Sequence, residues 1–468
     1  MKDLTQGKEA RLIFNFAMPM LLGNLFQQLY NIVDTVIVGN FIGKEALAAV
    51  GASFPIIFTM ISLIIGVASG GTIVIAQYFG AKKFGDVKRT IHTLYIFLTI
   101  AALGLTLIGV LFSEEIFRLI KLPAELIPQA TLYLSIYFSG LIGMFGFNAT
   151  SAILRGLGDS KTPLYFLMIS TFFNIAFDLL FIIVFNWGIA GAAIATVISQ
   201  AGAFLTAVVY LNRNHKLIDF NLPSWKFDRK IFRQSIRIGL PTGFQHTFVS
   251  LGMLAIMAIV NRFGTNVIAG YSSALRIDSL AVLPAMNFSA ALATFVGQNI
   301  GAGKSERVRR GLISTLLMSS AVSVFVTAVV ILFKFQLMGL FTKDPQVIRI
   351  GANYLLIVSS FYLVITAMFK FNGVLRGAGD TLIPMFITLF SLWIVRVPFA
   401  LYFSRHIGES GIWWSQPASW AVGLLLSFSY YLTGRWRKMG VVRHSPVISS
   451  STATAAVGGG SSSGSSSD

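Results

Sequence analysis

The chain has 468 residues, 55% hydrophobic and 12% charged, with a mean hydropathy of +0.75; soluble domains carry about 25% charged residues, so a soluble fold is excluded. The formal net charge of +18 does not signal nucleic-acid binding, because the basic residues fall in alternate connections between apolar runs, as a positive-inside membrane topology requires. There is no cysteine, which removes disulfides, thiolate metal sites and cysteine nucleophiles.

The polar start MKDLTQGKEAR leads straight into the first apolar run, with no cleavable signal segment expected. Apolar stretches of about 20 residues or more then recur, as the thickness of a bilayer demands of spanning helices. They predict an all-α polytopic membrane protein with twelve transmembrane helices, near 12–38, 51–79, 91–112, 129–153, 162–185, 188–211, 236–260, 268–299, 311–334, 347–371, 382–404 and 411–433. Basic clusters at 80–89, 213–237, 303–310 and 434–440 alternate with connections near 114–125, 186–188 and 261–266 that have little basic excess. That pattern places both termini in the cytoplasm and the chain in the cell membrane.

The expected organisation is a cytoplasmic N-terminus (1–10), an N-lobe of helices 1–6 (11–212), a cytoplasmic linker (213–235) and a C-lobe of helices 7–12 (236–440). The Gly/Ser-rich stretch 441–468 reads as a disordered tail or an appended linker. The histidines at 92, 215, 246, 406 and 444 form no HExxH or other close pair. No metal site and no cofactor is expected.

The two halves repeat. LRGLGDSKTP (154–163) returns as LRGAGDTLIP (375–384), and 384 − 163 = 221. AQYFGAKKFGDVKR (76–89) returns as GQNIGAGKSERVRR (297–310), with Gln77 and Gln298 also 221 apart. Pro19 in the first helix matches Pro241 in the seventh, where 241 − 19 = 222. One near-constant offset across an even number of crossings predicts two parallel six-helix bundles related by an axis along the membrane normal. The repeat also disposes of GAGKS (301–305) as a phosphate loop, since the required glycine at 298 is Gln298.

Positions that differ between the halves are where function has room to enter. Asp34 maps to Ile256, Asp178 to Phe399 and Asn174 to Val395, so the scaffold can be built without these polar groups. Asp34 lies about one turn from the outer end of helix 1 and Asp178 about two turns from that of helix 5, both within ~6–12 Å at ~1.5 Å rise per residue. Asn174 and Asp178 share a helix face, and Thr196 reaches a similar depth. An ionised aspartate at mid-helix costs ~2.5–3.5 kcal/mol on insertion scales. Two close together, with no basic residue on helix 1 or 5 nearby, must hold a proton or share a cation.

In the C-terminal half, Arg276, Asp278 and Arg396 read as an internal ion pair or gate latch. Arg155 and Arg376 recur at helix ends, each followed by an aspartate four residues on, and read as loop anchors. Pro19 and Pro241 are expected to bend helices 1 and 7 and to serve gating. His246 reads as a hydrogen-bonded core histidine.

PMLLGNLFQQLYNIVDTVIVGNFIGKEALAAVG, together with LRGLGDSKTP and the repeated LRGAGD, resembles the multidrug and toxic compound extrusion (MATE) family over essentially residues 10–440. The resemblance implies two six-helix lobes around a central cleft and export of organic cations against inward H⁺ or Na⁺ flow. It implies that Asp34, Asn174, Asp178 and Thr196 bind the coupling ion in the N-lobe, as in the DinF-like branch, and that Gln27, Tyr30, Tyr133 and Asn148 line that lobe's cavity. The acidic residue that the NorM-like branch carries in helix 7 is missing from PTGFQHTFVSLGMLAIM. The expected function is therefore an ion-coupled multidrug antiporter for cationic, aromatic small molecules, working in the bilayer as a monomer and not an enzyme. Tyr30 and Tyr133 would supply cation–π surface. A lipid-linked oligosaccharide flippase of the same superfamily is the alternative, and a membrane-embedded enzyme using the two carboxylates the more distant one.

Overall fold

The computed structural model describes residues 2–214 and 225–442. The expected linker 213–235 is therefore seen only at its two ends, and of the expected tail only 441 and 442; His215, His444 and 443–468 lie outside the described residues.

Among the described residues every regular element is helical. The first lobe comprises α1 (Glu9–Ile37), α2 (Lys44–Gly80), α3 (Phe84–Leu119), α4 (Ile127–Ser139) followed by α5 (Leu141–Gly156), α6 (Lys161–Asp178) and α7 (Gly188–Asn214). The second comprises α8 (Arg229–Val260), α9 (Thr265–Gly301), α10 (Ser305–Leu332), the short α11 (Lys334–Gly339), α12 (Pro345–Ser359) followed by α13 (Tyr362–Ala378), α14 (Leu382–Leu389), α15 (Val397–Ile407) and α16 (Glu409–Leu432). Eight rods are each long and apolar enough to cross a bilayer, and α4–α5 and α12–α13 join to make two more. With α1 and α16 they form the twelve spans of two six-helix lobes.

The helix starts follow local chemistry. Asp228 accepts from the amides of Lys230 (2.9 Å) and Ile231 (3.0 Å) and so begins α8 at Arg229, ahead of the expected 236. Asp344 does the same for α12, with Pro345 in the first turn. Sharp bends fall at Gly140 (51°, between α4 and α5) and at Ser360–Phe361 (49°, between α12 and α13). The two sites are themselves repeat partners, since 140 + 221 = 361. By contrast α1 and α8 continue as single helices through Pro19 and Pro241, so neither expected gating proline marks a break.

The packing shows how the lobes meet. On the side far from the N-terminus each lobe has its own core: Ala49, Phe117, Phe138 and Leu141 in the first, Ile256, Tyr354, Leu355 and Trp413 in the second. On the N-terminal side the cores are shared. Leu12, Ile13 and Phe16 of α1 pack among Phe288, Leu292 and Phe295 of α9, while Ile231 and Ile238 of α8 join Ile75, Ile91 and Leu154. Hydrogen bonds between the lobes run from Asn24–Asn287 (2.8 Å) and Ser62–Thr247 (2.9 Å) near mid-helix down to that same side. The lobes form a V, joined at the N-terminal face.

The repeated glutamines make the seal. Gln77 Nε2 donates to the Gly377 carbonyl (3.0 Å), and Gln298 Nε2 donates to the Gly156 carbonyl (3.1 Å). Each glutamine thus grips the end of the other lobe's LRG helix, and both are fully buried. Gly80 and Gly301 let the backbones approach: a Cβ on Gly80 would fall on the Gln298 carbonyl, and one on Gly301 on that of Gln77. Replacing either glutamine by alanine leaves a buried carbonyl unpaired, a loss of ~1–3 kcal/mol confined to the closed arrangement. Gln298→Ala is expected to raise labelling of a cysteine introduced at Ser151, in the cavity, from the N-terminal face by about tenfold. Unchanged labelling would show that the seal lies elsewhere.

Candidate functional site

Asp34 occupies the last turn of α1 and Asp178 ends α6; in both cases the α-helix passes into a π-helical turn, 38–42 and 179–184. A π turn widens the helix and re-aims the side chains beside it. Here the two wide turns lie side by side and bring the two carboxyls next to one another. Asp178 is fully buried and Asp34 half-buried. No lysine or arginine pairs with either among the described residues. Asp34 Oδ1 and both Asp178 oxygens are buried without a donor. Two ionised carboxylates offer only acceptors to one another, so their contact requires a proton or a cation between them.

Around the pair the remaining predicted residues assemble. Thr196 on α7 gives its hydroxyl to the Ala192 carbonyl (3.1 Å) and receives Asn174 Nδ2 at 3.5 Å; Tyr30 Oη stands 3.2 Å from the same oxygen. Beside them is a crevice of about 10 Å³, bounded by Tyr30, Asn174, Thr196, Ser199 and Gln200, the size of one water or one bare cation. Asn174 Oδ1, Ser199 Oγ and Gln200 Oε1 are buried there without partners. Ser199 and Gln200 were missed from sequence, although Thr196, Ser199 and Gln200 follow the i, i+3, i+4 spacing of one helix face. The apolar partners in the other lobe are as the repeat implies: Ile256 is fully buried in the core, and Phe399 stacks on Phe403 at 4.1 Å.

The C-lobe group departs from the expected ion pair. Asp278 accepts from Tyr362 Oη (2.8 Å) and Tyr354 Oη (3.4 Å), Arg396 Nε has no acceptor, and Arg276 is exposed. No arginine lies within 4 Å of Asp278 among the described residues. Tyrosine hydroxyls, which desolvate more cheaply than a guanidinium, make the direct contacts, and Arg396 acts only as a nearby charge.

A cavity of about 460 Å³ lies between the lobes, above the glutamine seal. Gln27, Asn148, Pro19 and His246 line it, with Phe147 and Phe369 as aromatic surface. His246 therefore faces a cavity rather than a core. Tyr30 faces the small crevice, and Tyr133, expected in the cavity wall, is instead buried in the far-side core against Tyr137 (6.2 Å between rings). Arg155 and Arg376 also line the cavity. The aspartates four residues further along are engaged elsewhere. Asp159 accepts from the Lys161 and Thr162 amides (3.0 and 3.1 Å), and Asp380 from Tyr430 Oη (2.6 Å).

Comparison with known proteins agrees with the duplicated helical fold. The MatE family profile matches residues 19–180 and 241–402; both ends are displaced by 222, so the profile finds the duplication as well. The chain is 36% identical to "Probable multidrug resistance protein YpnP" of Bacillus subtilis over 93% of its own length and 98% of that protein. It is 30% identical to "Probable multidrug resistance protein NorM" of Thermotoga maritima over 93% and 95%. A solved structure described as the outward-facing conformation of a multidrug resistance MATE family transporter superimposes with a TM-score of 0.87 at 24% identity, over 94% of this chain and 99% of that one. At that identity the likeness speaks for the fold.

Proposed function

We propose, from the premise that this chain belongs to the MatE family of multidrug efflux transporters, that it is a secondary antiporter exchanging cargo for H⁺ or Na⁺ by alternating access. The observation that carries the reading is the contact between Asp34 and Asp178 with no fixed positive charge beside them. A pair of this kind is stable only when something small and positive joins it, and it can exchange that ion with whichever side is open.

The cycle follows from the V-shaped arrangement. Open away from the termini, the N-lobe pair takes up its ion through Asp34, the less buried partner; the crevice at Asn174, Thr196 and Gln200 has the oxygen ligands that Na⁺ requires. Rocking then breaks the Gln77 and Gln298 contacts and opens the face bearing the termini, which we assign to the cytoplasm of a cell-membrane protein acting as a monomer. There the carboxylates discharge. Exchange is driven only if ion and cargo prefer different arrangements.

For the cargo, Phe147 and Phe369 in the cavity wall support an aromatic compound. The expectation of a cation comes from the family resemblance and from attraction to the carboxylate pair, and that pair stands outside the wall. The flippase alternative needs a positively charged cavity and is tested by the same cargo measurements. Nothing in the duplicated bundle calls for chemistry on the carboxylates, and the two relatives described above are named as resistance proteins.

Purified protein in sealed vesicles, with a pH gradient or a Na⁺ gradient imposed separately, tests the reading. One gradient is expected to drive dye accumulation against its concentration, and dissipating it to abolish the signal. Equal accumulation without either gradient would refute ion coupling.

A further inference from the structure

The floor of the central cavity has the wrong charge for a purely cationic cargo. Arg155 ends α5 in one lobe and Arg376 ends α13 in the other, and they are repeat partners (155 + 221 = 376). Both line the same cavity, His246 joins them, and no aspartate or glutamate does. The Arg155 guanidinium makes no hydrogen bond and no ion pair among the described residues. Arg376 gives Nη2 to Gln245 Oε1 (2.7 Å) but keeps Nε buried without an acceptor. The residues that follow them, Gly156 and Gly377, are those held by Gln298 and Gln77. The two arginines are therefore next in the chain to the residues of the seal.

A guanidinium at membrane depth is retained where it meets water, a backbone carbonyl or an anion. Two of them lining one cavity without a carboxylate offer the planar, multi-donor surface that binds acid groups. The apolar remainder of the wall, with Phe147 and Phe369, suits a ring system.

We infer that the cavity binds an aromatic cargo carrying an anionic acid group, which is held between Arg155 of one lobe and Arg376 of the other. The inference takes from the transporter reading only that the cavity admits cargo. Ion coupling plays no part in the binding step, so the two ideas fail separately.

Fluorescein and rhodamine 6G share one ring frame and differ in charge, the first anionic and the second cationic. Binding of each to the full-length protein in neutral-lipid nanodiscs, with no gradient, is the test. Wild type is expected to bind fluorescein at least tenfold more tightly than rhodamine 6G. Arg155→Gln and Arg376→Gln are each expected to weaken fluorescein tenfold or more and to leave rhodamine 6G unchanged or tighter; Arg155→Lys, which keeps the charge, retains most of the fluorescein affinity. Gly104→Leu, which lies outside the cavity wall, is expected to bind both dyes as wild type does. Displacement of fluorescein by phosphatidylglycerol added to the nanodisc would support the anion site and assign it to a lipid phosphate. Equal loss of both dyes in the arginine variants would assign the arginines to structure alone. That result, or a wild type that does not bind fluorescein, overturns the inference.

Discussion

Asp34→Asn is expected to reduce gradient-driven efflux to background while the protein still inserts, folds and binds its cargo. Asparagine keeps the size of the side chain and removes its ability to take up and give back a proton. It also gives Asp178 a permanent amide donor. The buried Asp178 oxygens, which have no donor in the native protein, would then be satisfied without any ion, and the reason for ion uptake disappears. The change gives up no packing and relieves a contact between two acids, so its effect on stability is small, within about 1 kcal/mol. Downhill exchange, which needs rocking but no coupling, persists in part. Asp178→Asn is expected to act alike, and Thr196→Val to act more weakly, because it removes only the hydroxyl shared by Tyr30 and Asn174. Drug resistance of cells expressing each variant, read beside vesicle transport, decides the matter. Normal resistance with Asp34→Asn would remove the carboxylate pair from the mechanism.

That the pair could be anticipated at all comes from the repeat. Its constant offset turned one chain into two aligned halves, and depth along a helix is simple arithmetic once the crossings are counted. What the offset could not convey is the direction of side chains near helix ends. Arg155 and Asp159 are four apart, the spacing of a pair on one continuous helix, yet α5 stops at Gly156 and Gly158 turns left-handed at φ +81°. Gly379, at φ +93°, does the same after Arg376. The turn carries each aspartate away and leaves each arginine facing the cavity. The π turns beside Asp34 and Asp178 are likewise silent in the sequence, since valine, leucine and isoleucine populate α and π turns alike. Asp278 misled for a further reason: its tyrosine partners lie 76 and 84 residues away along the chain, beyond the reach of any local pattern.

The largest mechanical effect is expected where the two lobes cross. Gly66 and Gly70 on α2, and Gly239 and Gly243 on α8, each form a small-xxx-small step, the arrangement that lets membrane helices pack backbone to backbone. A Cβ added to Gly66 would lie 2.5 Å from the Gly243 amide nitrogen and 2.6 Å from the Gly239 carbonyl oxygen. These are backbone atoms and cannot turn aside. Gly66→Leu therefore has to push α2 and α8 apart, a strain of ~1–3 kcal/mol or more borne at the most extensive crossing between the lobes. Loss of transport is expected together with a lowered melting temperature. Because the chain has no cysteine, the separation can be read directly. Ser62 and Thr247, with hydroxyls 2.9 Å apart across the same crossing, replaced by a cysteine pair should form a disulfide in the otherwise native protein and fail to do so when Gly66→Leu is added. Gly104→Leu is the control, for a Cβ there meets nothing within 4 Å, so neither cross-linking nor transport should change. If the pair still closes in the Gly66 variant, the crossing is looser than its glycines imply and the pivot belongs elsewhere.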